Sequence, residues 1–212
     1  MELTHAHLRL YLVTDPDLCA AYGLVDTVGA AIAGGVSFVQ LRDKTATTAE
    51  RVALALALKR ALHGTPVPLV INDDVEAARA ADVDGVHVGQ GDMAATQARA
   101  TLGPNKIIGL SCESAADIRA VDPAIVDYLG IGTVFQTATK SDHKPDIGLH
   151  GLAELCALSP LPNVAIGGLK ATHAAQVLAA GADGMAVVSA ICGQPDPTKA
   201  AQDILKNMGD TT

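Results

Sequence analysis

The 212-residue sequence predicts a single-domain α/β protein folded as a (β/α)8 barrel over residues 1–212, on three observations. Eight short apolar runs alternate strictly with eight Ala/Leu-rich stretches, the pattern of parallel strands covered by helices. Several runs are apolar at consecutive positions, as in Leu10-Tyr11-Leu12-Val13, which marks strands buried on both faces. The repeat averages about 26 residues, so eight units fill the chain near the ~200-residue lower end of TIM-type barrels and leave no length for a second domain. A doubly wound open sheet would carry a glycine fingerprint after its first strand, where this chain has Thr14-Asp15-Pro16-Asp17.

The expected strands are Leu8–Thr14, Phe38–Leu41, Pro68–Ile71, Gly85–Val88, Lys106–Leu110, Tyr128–Ile131, Asn163–Ile166 and Gly184–Val188. The expected helices are Leu24–Gly34, Thr48–His63, Val75–Ala81, Met93–Leu102, Ser114–Ala120, Leu149–Leu158, Thr172–Ala180 and Pro197–Asn207. Thr47 with Glu50 close behind offers an N-terminal cap for the second helix. Gly34-Gly35, Gly64, Gly103 and Gly181 stand where helices end, at positions that suit a left-handed residue. The segments Ala33-Gly34-Gly35-Val36-Ser37-Phe38 and Ala180-Gly181-Ala182-Asp183-Gly184-Met185 read as one helix-to-strand turn used twice.

Composition removes several functional classes. Lys and Arg number 15 against 23 Asp and Glu, a formal charge of −8, and aromatic residues are 2% of the chain. A nucleic-acid binder needs a basic groove and aromatic platforms, so none is expected as a partner. The acidic balance and the lack of any apolar stretch long enough to span a bilayer argue against a membrane role. Met1–His5 holds no basic region leading into an apolar run, so no signal peptide is expected. Cys19, Cys112, Cys156 and Cys192 are widely spaced and form no CxxC pair, which suits reduced core thiols in a cytoplasmic protein.

In a barrel of this kind, reactive groups lie at the C-terminal ends of the strands and in the loops that follow. Gln40, Arg42 and Lys44 alternate after the second strand, so an extended chain projects them to one side. Asp73 and Asp92 end neighbouring strands, and paired carboxylates without His or Cys suit Mg2+ bound together with phosphate oxygens. Arg42, Lys44 and Lys140 add three cations to the same rim, as a magnesium-bound pyrophosphate requires. Ser111 follows the fifth strand. Gly167-Gly168 after the seventh strand and Ser189 after the eighth occupy the usual phosphate position of such barrels. Two anionic small-molecule substrates on one face point to a transferase that displaces pyrophosphate. His87, inside the fourth strand, reads as a packed or hydrogen-bonded barrel residue rather than a base, and the polar segment 136–147, with His143, has the length of a cover over substrate.

Eight motifs in order, from about residue 9 to residue 205, resemble the thiamine phosphate synthase family. They include Tyr11–Asp15, Val39–Lys44, Ile71–Asp73, Gly85–Asp92, Gly109–Ser111, Gly132–Lys140, Ala165–Gly168 and Val187–Ile191. The resemblance implies a barrel enzyme of thiamine biosynthesis that joins a 4-amino-2-methyl-5-pyrimidinylmethyl diphosphate to a thiazole phosphate, giving thiamine monophosphate and pyrophosphate. It implies that Gln40, Arg42, Lys44, Asn72, Ser111 and Lys140 hold the pyrimidine diphosphate and that Asp73 and Asp92 hold Mg2+. It also implies that Thr137, Thr139, Gly168, Val188 and Ser189 receive the thiazole phosphate. Asn72, Thr137 and Thr139 gain roles only from the resemblance. Asp74 and Thr133 depart from the family's usual residues, and Asp74 would weaken diphosphate binding if it pointed inward.

The implied mechanism breaks the carbon–oxygen bond at the pyrimidine methylene before the thiazole attacks, since the aminopyrimidine ring spreads positive charge. Lys140, Arg42, Lys44 and Ser111 then act catalytically by stabilising the departing diphosphate. Two alternatives share the barrel: a thiazole tautomerase, and a non-catalytic barrel that binds thiazole phosphate. The tautomerase would need neither the paired carboxylates nor the basic trio, and a test for product with both substrates and Mg2+ distinguishes the binding barrel.

Overall fold

The computed structural model describes residues 3–90, 94–137 and 146–209. Eight strands form a closed barrel in sequence order: β1 (Leu10–Val13), β2 (Phe38–Leu41), β3 (Leu69–Asn72), β4 (Gly85–Val88), β5 (Ile107–Cys112), β6 (Tyr128–Ile131), β7 (Asn163–Ile166) and β8 (Gly184–Val187). Every neighbouring pair is parallel, and β1 closes on β8 with Leu10 opposite Met185 and Leu12 opposite Val187.

Alternation along each strand divides the chain into two apolar sets. Leu10, Leu12, Val39, Leu41, Leu69, Ile71, Val86, Val88, Leu129 and Ile131 face outward and pack with helix residues such as Val28, Leu58, Ala78, Leu152 and Ile204. Tyr11, Val13, Phe38, Val70, Tyr128, Val164 and Ala186 fill the barrel interior. The double-sided apolarity of the sequence follows from these two contacts. The same parity turns Gln40, Asn72 and Ser111 inward, because each stands two or four residues beyond an interior residue on its own strand.

The covering helices are α1 (His5–Leu8), α2 (Pro16–Cys19), α3 (Leu24–Ala33), α4 (Thr48–Ala61), α5 (Val75–Ala81), α6 (Ala95–Leu102), α7 (Ala115–Arg119), α8 (Gly148–Leu158), α9 (Ala174–Ala179) and α10 (Pro197–Met208). Thr47 caps α4 in a reciprocal box with Glu50, whose carboxylate accepts from Thr47 N–H at 2.7 Å. The repeated helix-to-strand turn is present: Gly35 and Gly181 have φ of +102° and +95°. Each follows the same bonding, with Val36 N–H donating to Ala31 O and Ala182 N–H donating to Val177 O.

Most boundaries fall within one or two residues of expectation, and the differences that matter for the core and the site are these. Leu8 belongs to α1 rather than β1, and it enters the interior cluster from the N-terminal end of the strands. Asp15 and Pro16 open a short helix, with the Asp15 side chain accepting from Leu18 N–H at 3.1 Å. The expected helix Thr172–Ala180 is a 3-10 turn, Ala171–His173, followed by α9. Strands β3 and β5 run on to Asn72 and Cys112, which places Asn72 and Ser111 within the sheet rather than after it. All four cysteines are buried and free of disulfides. Among the described residues, no helix is long and apolar enough to cross a membrane.

Candidate active site

A cavity of about 520 Å3 opens from the barrel interior to the C-terminal ends of the strands. Gln40, Arg42, Lys44, Asn72, Asp73, Ser111, Thr137, Gly168, Val188 and Ser189 all line it. Asp92, Thr139 and Lys140 lie outside the described residues, as do His143 and most of the segment expected to cover substrate.

The loop after β2 holds its charges in alternation. Asp43 turns away from the cavity: its Oδ1 accepts from the backbone N–H groups of Thr45 and Ala46 at 2.9 and 3.0 Å and from the Thr45 hydroxyl at 2.9 Å. Burial works to raise its pKa, but these hydrogen bonds and nearby Arg51 outweigh burial and hold the carboxyl below its ordinary value. Arg42 and Lys44, on either side, face the cavity. Fully buried Thr14 secures the Arg42 backbone twice, its hydroxyl oxygen accepting from Arg42 N–H at 3.0 Å and its O–H donating to Arg42 O at 3.3 Å.

At the end of β3, Asn72 Nδ2 donates to Asp73 Oδ2 at 2.5 Å. Asp73 has φ +64°, a conformation that non-glycine side chains rarely take and that clusters at functional positions. Asp74 points away from the cavity. Its Oδ1 caps α5 by accepting from Ala77 N–H at 2.9 Å, and its Oδ2 meets Arg51 Nη1 and the Thr48 hydroxyl at 2.9 Å each. The concern that its charge opposes a diphosphate is therefore removed by structure.

On the other side of the mouth, the backbone approaches closely. Gly167 and Gly168 have φ of +106° and +61°, and a Cβ on Gly168 would fall 2.5 Å from Gln136 O and 2.7 Å from Phe135 O. Only glycine fits there. Val188 and Ser189 stand just beyond β8, and the Ser189 carbonyl accepts from Gln194 Nε2 at 2.8 Å.

Some lining residues were missing from the expected site, two within the barrel strands and two just beyond them. Tyr11, His87, Glu113 and Thr133 also line the cavity. His87 is hydrogen-bonded as expected, with Nδ1 2.9 Å from Tyr128 OH and Nε2 3.0 Å from Ser111 Oγ, but its ring reaches the cavity as well. Parity carries a signal for Glu113, which lies two residues beyond Ser111. Among the described residues, no three His, Cys, Asp or Glu side chains cluster as a metal cage. One or two carboxylates completed by phosphate oxygens is the set Mg2+ prefers, and Asp73 at the cavity wall fits it.

Comparison with known proteins gives a consistent picture. A family model described as thiamine monophosphate synthase matches residues 10–191. The chain is 50% identical over 198 residues to a thiamine-phosphate synthase of Psychrobacter sp. (strain PRwf-1), covering 92% of each chain. It is 52% identical over 195 residues to that of Xanthobacter autotrophicus (strain ATCC BAA-1158 / Py2), again covering 92% of each. The solved structure of a thiamine phosphate pyrophosphorylase from Pyrococcus furiosus superposes with a TM-score of 0.86 at 35% identity, over 96% of each chain.

Proposed function

The chain belongs to the thiamine monophosphate synthase family, and from that premise we propose that it joins a pyrimidinylmethyl diphosphate to a thiazole phosphate. The products are thiamine monophosphate and pyrophosphate. One observation carries this reading: a single cavity gathers Gln40, Arg42, Lys44, Asn72, Asp73 and Ser111 together with Thr137, Gly168, Val188 and Ser189. One group suits a metal-bound diphosphate and the other a monophosphate, so two anionic substrates share one enclosure.

Arg42 and Lys44 bind the diphosphate, and Thr14 holds Arg42 in place through the backbone. Asn72 orients Asp73, which together with Asp92 would hold Mg2+. When bound, Mg2+ neutralises charge that develops on the leaving diphosphate. Lys140 is assigned to the same task from the resemblance. As the methylene carbon–oxygen bond breaks, its electron pair leaves with the diphosphate. The thiazole nitrogen then donates its pair to that carbon, so no proton need be removed and no side-chain nucleophile takes part. Gly168, Ser189 and Thr137 hold the thiazole phosphate so that its nitrogen faces the carbon.

Residues 1–212 act as one catalytic unit, since the barrel draws elements from His5 to Met208. Four unpaired buried cysteines favour a reducing, cytoplasmic setting.

The test is direct: purified protein with both substrates and Mg2+ should release thiamine monophosphate and pyrophosphate in equal amounts. Formation undiminished by EDTA or by Asp92→Ala overturns the metal assignment. Isomerised thiazole phosphate without joining marks a tautomerase, and binding without turnover marks a non-catalytic barrel.

A further inference from the structure

Along the floor of the cavity, a chain of side-chain hydrogen bonds crosses the barrel from β2 to β5. Gln40 Nε2 donates to Tyr11 OH at 2.6 Å, and Tyr11 OH lies 2.8 Å from Tyr128 OH. Tyr128 OH lies 2.9 Å from His87 Nδ1, and His87 Nε2 lies 3.0 Å from Ser111 Oγ. The two ends are residues that the proposed function places against the diphosphate substrate; the three middle residues have no role in it. We propose that this relay has one fixed polarity, set by the Gln40 amide, and that it leaves the Ser111 hydroxyl as a donor to a diphosphate oxygen.

The polarity follows from counting hydrogens. A phenol has one hydrogen to give, and a neutral imidazole donates from one ring nitrogen and accepts at the other. Gln40 N–H occupies an acceptor position on Tyr11, and the hydrogen of a buried phenol needs a partner, so the Tyr11 hydrogen is assigned to Tyr128 and the Tyr128 hydrogen to His87 Nδ1. His87 then carries its hydrogen on Nε2 and donates it to Ser111 Oγ. The Ser111 hydrogen remains to be given, and Ser111 lines the cavity. In the opposite order, the Tyr11 hydrogen would point at the Gln40 NH2 group.

Three features hold the relay in this state. Tyr11 and Tyr128 are 1% and 0% exposed, and burial raises both phenols well above their ordinary pKa, so each keeps its hydrogen. Room for the rings comes from glycine: a Cβ on Gly109 would collide with the Tyr128 ring, and one on Gly130 would lie 3.1 Å from His87 Cε1. Buried chains of hydrogen bonds also strengthen one another in a low-dielectric interior. Tyr11, Tyr128 and His87 are thus positioning residues that act on the substrate through Ser111.

The ligand in this inference rests on the proposed function, whereas the polarity does not, and the experiment separates them. In protein labelled with 15N-histidine, the His87 signals are assigned by their loss in His87→Gln. The expected pattern is a protonated Nε2 and an unprotonated, acceptor-type Nδ1; the reverse overturns the relay. Tyr128→Phe should release His87 from a single tautomer and weaken Mg2+-dependent binding of inorganic pyrophosphate about as much as Ser111→Ala, roughly tenfold or more. The double variant should lose no more than either single one. Additive losses, or unchanged affinity in Tyr128→Phe, overturn the coupling to Ser111. Should Tyr128→Phe fail to fold, Tyr11→Phe poses the same question from one position further along, and the wild-type tautomer stands as the decisive reading. Wild-type protein that neither binds magnesium pyrophosphate nor forms product removes the ligand assignment, while the tautomer still reports on the polarity.

Discussion

The backbone N–H of Asp73 donates to the carbonyl oxygen of His87 at 2.9 Å, so Asp73 stays bonded to the neighbouring strand while its φ of +64° departs from strand geometry. The bond continues the β3–β4 ladder by one step, and the dihedral places the carboxylate at the cavity wall. A positive φ and the position proposed to hold Mg2+ coincide at this residue.

That coincidence predicts an inverted stability order. In a left-handed position, Asp73→Gly should be at least as stable as Asp73→Ala, by about 1 kcal/mol in urea unfolding, against the usual ranking of the two residues. Both variants should lose product formation by on the order of a hundredfold or more. A more stable alanine variant contradicts the assigned backbone conformation.

Gly168→Ala should disrupt the side of the cavity proposed to receive the thiazole phosphate. The new methyl has no room beside Gln136 O and Phe135 O, and the residue keeps a positive φ. The KM for thiazole phosphate is expected to rise about tenfold or more, with a smaller change in the KM for the diphosphate, alongside a stability loss of about 1–3 kcal/mol. Equal effects on both substrates would place Gly168 outside the monophosphate site.

Thr14→Val keeps the shape of a buried side chain and removes both hydrogen bonds to the Arg42 backbone. Since Thr14 is assigned no contact with substrate, its effect on catalysis should pass through Arg42 alone. The KM for the diphosphate should rise by less than about tenfold, and stability should fall by about 1–2 kcal/mol for the amide left without its partner. Steady-state kinetics with each substrate varied in turn, together with a denaturant curve, reads both effects.

Asp74→Ala should spare activity and cost stability. The variant loses a helix cap and the ion pair with Arg51, about 1–2 kcal/mol together, while turnover stays within about twofold of wild type. Burial acts to raise the Asp74 pKa, but the Ala77 amide, Arg51 and Thr48 outweigh it and hold the carboxyl below its ordinary value. A depressed folded pKa means that the stabilisation is full above the unfolded carboxylate pKa and is lost as pH falls through the lower folded one. The gap in stability between wild type and Asp74→Ala should therefore close in acid and hold at neutral pH.

Much of the cavity lining was legible because parity is local. Gln40, Arg42 and Lys44 share one side of an extended chain, and all three reach the cavity. Ser111 was expected just past its strand because the apolar run stops at Leu110. Pairing with β6 nevertheless continues, with Ser111 opposite Gly130 and Cys112 opposite Ile131. The direction of Asp74 was not legible at all. It is decided by Thr48 and Arg51 on α4, 26 and 23 residues away along the chain.

Residue order alone determined the barrel, its eight units and the chemical character of its rim, since strand alternation and helix capping depend on neighbours a few positions apart. Only the assembled fold decided which polar groups touch. Gln40 meets Tyr11 across 29 residues, and Tyr11 meets Tyr128 across 117. Gln40 reaches Tyr11 through the direct pairing of β1 with β2, whereas Tyr11 on β1 reaches Tyr128 on β6 once β1 pairs with β8, and no local pattern encodes either bond.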